Sequence, residues 1–207
     1  MATRTILVEQ ILRMLDGGRN SRNGRWKNQE ISLSVNQVRN TLARDFFYAG
    51  LKNGDSFTDP SWLSTYENVD VLEDTGRSLW YSVLPAQPIA LADGKGINLV
   101  TYQKDQFSVF IPLKSGSMWM FGDSGVMDLQ GNTGYFQEGN KIFFPNYQPN
   151  GYDKVLIKLV ASSTDLTDDD VFACPPDVYE QIVKTVVQMY APFSQQPVDM
   201  KNDNNPS

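Results

Sequence analysis

The chain has no histidine, which removes the commonest general base and metal ligand near neutral pH. It has one cysteine, Cys174, and so no internal disulfide and no cysteine-based zinc cluster. Cys174 is followed by Pro175 and Pro176 and has no histidine to draw its proton, so it reads as a small apolar side chain. Long hydrophobic runs are missing as well. None approaches the ~20 residues of a membrane span, so no membrane contact is expected. The opening MATRTILVEQILRML sets Glu9 inside a helical period and no small-residue cleavage site follows, which speaks against a signal or transit peptide.

What is present describes a folded protein. Of 207 residues, 41% are hydrophobic and 12% aromatic, enough for one large domain or one domain carrying a long insertion. The net charge of −6 is uneven. Arg4, Arg13, Arg19, Arg22, Arg25 and Lys27 face only Glu9 and Asp16, so residues 1–27 carry +4 and the remainder −10. An acidic body disfavours nonspecific nucleic-acid binding, because phosphate contacts need cations. The basic stretch GGRNSRNGR reads as a solvated loop or as a contact to phosphates or an acidic protein surface.

Periodicity divides the chain. Ile6, Leu7, Ile11, Leu12 and Leu15 make a helical stripe ended by Gly17 and Gly18. Ile31, Val35, Val38, Leu42 and Phe46 predict a second helix, capped by Ser32 or Ser34 and ended by Gly50 or Gly54. From about Tyr66 the period is two. YENVDVLE, SLWYSVLP, INLVTY, QFSVFIPL, TGYFQ, KIFFP and DKVLIKLVA read as strands, with hairpin turns at Asp74–Arg77 and Glu138–Asn140. Helical signals return with Asp177 as N-cap, Glu180 in a capping-box position, a stripe of Val178, Ile182, Val186 and Met189, and Pro192 as the stop. The expected fold is α+β: N- and C-terminal helices form a small bundle, and a β-rich antiparallel, sandwich-like insertion projects from it. Its parts are residues 1–54, the N-terminal helices with the basic loop, and 55–172, the insertion. Residues 173–193 are the C-terminal helix joining the bundle, and the polar SQQPVDMKNDNNPS of 194–207 is a flexible tail.

No motif supports catalysis. Gly122-Asp123-Ser124-Gly125 resembles the nucleophile motif of chymotrypsin-like proteases, but no histidine can activate Ser124, and Val126 replaces a further glycine. Nothing places Lys114 or Lys141 against it, so a polar turn is expected. GKGINL, Gly94–Leu99, lacks the spacing of a phosphate loop. DLTDDD, Asp165–Asp170, lacks the alternate spacing, glycine and glutamate of a calcium loop. Trp62, Trp80, Trp119 and Tyr135 are sugar-stacking candidates, though aromatics in a β-rich chain more often fill the core. No catalytic, cofactor-binding or metal-binding residue is expected, no cofactor, and no enzyme activity.

The runs LWYSVLPAQPIALADGKGINLV (Leu79–Val100), GYFQEGNKIFFPN (Gly134–Asn146) and ISLSVNQVRNTLARDFF (Ile31–Phe47) resemble ring or adaptor proteins of crAss-like bacteriophages. In that family they build the head-to-tail connector and tail barrel. The resemblance implies a virion structural protein assembled in the bacterial host cytoplasm and forming a homo-oligomeric ring, twelvefold by that resemblance. It implies contact with the portal protein or neighbouring tail ring proteins, and genomic DNA passing without sequence-specific binding. A different expectation from the same residues is a carbohydrate-binding or hydrolytic β-sandwich tail component.

Overall fold

The computed structural model describes residues 3–17, 26–53, 59–114, 132–149, 153–162 and 172–194. Within them the helices are α1 (Arg4–Leu15), α2 (Asn28–Lys52) and α3 (Pro176–Ser194). The strands are β1 (Ser64–Asp70), β2 (Leu72–Asp74), β3 (Leu79–Val83), β4 (Ile97–Tyr102), β5 (Ile111–Pro112), β6 (Gly134–Glu138), β7 (Lys141–Phe144) and β8 (Lys154–Leu159). The fold is α+β with a mixed antiparallel and parallel β region. The chain forms two compact units, one drawn from Met1–Arg39 and Thr167–Ser207, the other from Asn40–Leu166.

The first unit is helical and takes residues from both ends of the sequence. Leu7, Val8, Ile11 and Leu12 of α1 are buried, and α1 packs against α3. On α3 the buried stripe is Val178, Ile182, Val183 and Val186, the 3.6-residue period of a one-sided helix. Met189, expected in that stripe, is 47% exposed. The start of α2 is tied to the end of α3. The Ser34 and Tyr190 hydroxyls lie 2.8 Å apart, Ser34 donates to the Glu30 carbonyl, and Tyr190 stands edge-on to Trp26 at 5.0 Å. Ser34 is therefore an interior residue of a helix that begins at Asn28, and neither it nor Ser32 is the N-cap. Arg39 is fully buried; its Nε and Nη2 both donate to the Ala173 carbonyl, at 3.1 and 2.7 Å. Asp177 lies inside the first turn of α3, and Glu180 pairs with Lys184 at 2.6 Å instead of closing a capping box. The helix also continues through Pro192.

The second unit holds the rest of α2 and both sheets. On α2, Ala43 and Phe47 are buried while Phe46 is 45% exposed, so the inward stripe runs one residue later than expected. A three-stranded sheet has the order β1-β8-β4, and a five-stranded sheet β2-β3-β7-β6-β5. β8, the most apolar strand, is central and pairs antiparallel with β1 and β4. The run YENVDVLE, expected as one strand, changes sheet at buried Val71, whose N–H bonds the Asp153 carbonyl at 2.9 Å. β5 and β6 run parallel, which corrects the expectation of a wholly antiparallel insertion. Both sheets feed one apolar cluster that includes Val71, Val100, Phe110, Ile142, Phe144, Val155 and Ile157.

Candidate interaction surface

Strand alternation sorts the five-stranded sheet into two faces. Trp80, Ile142 and Phe144 join the core cluster. The opposite face carries a row set by the register, in which Leu72 pairs with Tyr81, Tyr81 with Phe143, and Phe143 with Phe136. Phe136 and Phe143 stack at 5.4 Å with 17° between their planes, and Tyr81 lies 5.8 Å from Phe143. Aromatic pairs at such distances contribute roughly 0.5–1.5 kcal/mol beyond their buried area. Cations cover the row: Lys141 Nζ sits 4.1 Å above the Tyr81 ring, and Arg77 Cζ 5.3 Å above Phe143. Arg77 also pairs with Glu138 at 2.5 Å, and that hydrogen bond and charge raise its pKa. At one end of the row Leu72 and Val83 are 47% and 44% exposed and open into a hollow of about 540 Å³ rimmed by Glu67 and Asp70. The arrangement suits an apolar contact framed by charge. It assembles no acid–base pair.

A second feature follows β4. Asp105 accepts the Phe107 N–H at 3.1 Å and the Ser108 hydroxyl at 2.6 Å, and these bonds lower its pKa. The Thr101–Val109 bridge and the Phe110 N–H bond to the Val100 carbonyl close the turn at its base. Phe107 at its tip is 97% exposed. QFSVFIPL was expected to be a strand, but only Ile111–Pro112 is one.

The sequence candidates scatter. Trp62 is fully buried and tilted against Phe46, Tyr135 is buried with its phenol pushed up to about 12 by desolvation, and Trp80 packs on Tyr147 in the core. Cys174 is buried; burial raises its thiol to about 11, outweighing the Arg39 charge and the Tyr179 hydroxyl. In GKGINL only 94–96 turn, with Gly94 at φ +70° and Gly96 pressed against Ile89, and Ile97 begins β4. Lys114 is exposed. Ser124, Trp119, Asp165–Asp170, and Arg19, Arg22 and Arg25 of the basic loop lie outside the described residues. Among the described residues no group of three or more Cys, Asp or Glu could hold a metal, and no helix is long and apolar enough to cross a membrane. Compared with known proteins, the chain matches no family model and no curated protein.

Proposed function

We propose that the chain is a structural subunit of a phage virion, a ring-forming adaptor of the head-to-tail connector or tail barrel that links portal to tail. The observation that carries this reading is the division of the chain. A helical unit is drawn from both ends of the sequence, and a continuous β-rich middle forms the other unit. This is the architecture that the resemblance at Ile31–Phe47, Leu79–Val100 and Gly134–Asn146 implies. Two sheets sharing one apolar cluster support a sandwich-like insertion. The body is acidic, so a lumen lined by it would repel DNA and let the genome pass. The protein acts by assembly, not catalysis. The carbohydrate-binding alternative gains nothing from Trp62 and Tyr135, which are buried, or from Tyr81 and Phe143, whose ring faces meet Lys141 and Arg77.

Electron cryo-microscopy of the particle tests the reading. The expected result is a closed ring of this chain between head and tail. A reconstruction with no copy of it there refutes the assignment.

A further inference from the structure

β1 is an outer strand of the three-stranded sheet, and the direction of its backbone groups follows from the bonds on the other outer strand, β4. Opposite residues of an antiparallel pair exchange either both backbone bonds or neither. The Val100 carbonyl accepts the Phe110 N–H at 2.8 Å, so Val100 turns away from β8, and its opposite residue, Ile157, turns toward β1. Ile157 there meets Tyr66, which leaves the N–H and carbonyl of the preceding residue, Thr65, pointing out of the sheet. Asp70 points out likewise, because its opposite residue, Lys154, gives its carbonyl to the Gln103 N–H at 3.1 Å. Val109 and Phe110 close the outer side of β4, whereas among the described residues none bridges the outer side of β1. The hollow of about 540 Å³ lies on that open side. Every residue from Thr65 to Asp70 lines it, and successive side chains of a strand point to opposite faces, so the hollow follows the edge itself and not one face.

We propose that this edge takes up an extended peptide segment of a partner protein as an added strand, one in which apolar and basic side chains alternate. Outward backbone groups along a hollow are matched by the main chain of another strand, and the side chains beside them select which strand. Leu72 and Val83, 47% and 44% exposed, form an apolar wall with Pro85. On β1 itself Asp70 already pairs with Lys154 at 3.2 Å, but Glu67 is exposed and has no cation beside it among the described residues. An alternating strand presents apolar side chains to the wall and a cation to Glu67. A second copy of β1 is a poorer occupant: STYENVD has no lysine or arginine, and antiparallel self-pairing sets Glu67 and Asp70 against like charges. The bulge between Tyr66 and Val69, where the Asn68 N–H turns to Gln103 Oε1 at 3.0 Å, splits the edge into two short stretches. Such bulges guard an open edge against indiscriminate pairing, so the partner has to fit both stretches. The inference goes beyond the adaptor reading and does not depend on it.

Titration of the isotope-labelled chain with the end-blocked heptapeptide Lys-Val-Lys-Val-Lys-Val-Lys, followed by NMR, tests the proposal. Amides of β1, Leu72 and Val83 shift saturably. A fully N-methylated peptide keeps the side chains and the charge but has no main-chain N–H, and it binds at least about tenfold more weakly. A peptide with glutamate in place of lysine is weakened as much. Thr65→Pro removes an N–H that points out of the sheet, a change edge strands tolerate, and weakens binding about tenfold. Glu67→Lys has a similar effect and serves if circular dichroism shows the proline variant unfolded. Equal binding of the methylated peptide reduces the contact to charge attraction and overturns the proposal. So do shifts confined to other residues, no saturable binding up to about 1 mM, or a folded Thr65→Pro chain or a Glu67→Lys chain that binds like wild type. A chain that dimerises in sedimentation velocity, and ceases to with Thr65→Pro, assigns the edge to a second copy and overturns the choice of partner. None of these results bears on the ring reading, which the particle reconstruction decides.

Discussion

Replacing Gly96 with alanine tests the packing between the start of β4 and the segment before it. An added Cβ would lie 2.2 Å from the Ile89 carbonyl oxygen and 3.1 Å from Pro88 Cβ. The first distance is about an ångström short of ordinary contact, and the obstacle is backbone, which cannot rotate away. Neither side can retreat freely. The Val160 N–H donates to the Gly96 carbonyl at 2.8 Å, and the Ile89 N–H donates to the Val160 carbonyl at 2.9 Å. Relief of the clash therefore loosens one of these bonds, for about 0.5–1.5 kcal/mol. The strain of overpacking adds roughly 1–3 kcal/mol. Together Gly96→Ala is expected to cost about 1.5–4.5 kcal/mol in urea unfolding followed by circular dichroism. Gly139→Asn is the control. Gly139 has φ +62° with nothing within 4 Å of a built Cβ, a conformation that asparagine tolerates, so its midpoint should barely move. If Gly96→Ala unfolds at the wild-type midpoint with an unchanged slope, the close approach does not exist and the reasoning fails.

Ile182 is fully buried on α3, and Ile182→Ala should cost about 2–5 kcal/mol as a large-to-small core change; half-buried Leu42 should cost less, and equal midpoints would contradict the observed faces. The Cys174 thiol should resist a disulfide reagent at pH 8 in the folded chain and react once it is unfolded; rapid native labelling would show that it is accessible. Its folded pKa is raised, so the unfolded chain releases this proton first. Stability from this group is full below about pH 9 and falls as pH rises toward about 11, and Cys174→Ala should remove that component from a pH series of unfolding midpoints.

The three helices were legible because an apolar face repeats every three to four residues, whatever lies opposite. INLVTY coincides with β4, and the Gly139 turn falls where expected, since a positive φ between two alternating runs is a local demand. Periodicity was less able to choose between faces. Ile6 belongs to the stripe by spacing but lies on the exposed side of α1, and Ala43 and Phe47 replace Leu42 and Phe46 inside α2. A helix with apolar residues on more than one side is oriented by what it packs against. The strand pattern was likewise silent about partners. YENVDVLE breaks its alternation at Glu67-Asn68, where β1 shifts register, and at Val71-Leu72, where the chain changes sheet, yet nothing in the run names a partner strand, and β8 pairs with strands more than fifty residues earlier. Pairing depends on contacts between distant segments, and the local period is the same in either sheet. The aromatic row from Leu72 to Phe136 exists only through that pairing. Phe107 reads as a strand residue in QFSVFIPL and becomes an exposed tip because Asp105 turns the chain there. Composition by itself excluded histidine-dependent chemistry, an internal disulfide and a cysteine-based zinc cluster, because a missing side chain cannot be restored by folding. Which apolar side chains remain in water was decided by the tertiary structure, because burial depends on what the rest of the chain brings alongside each of them.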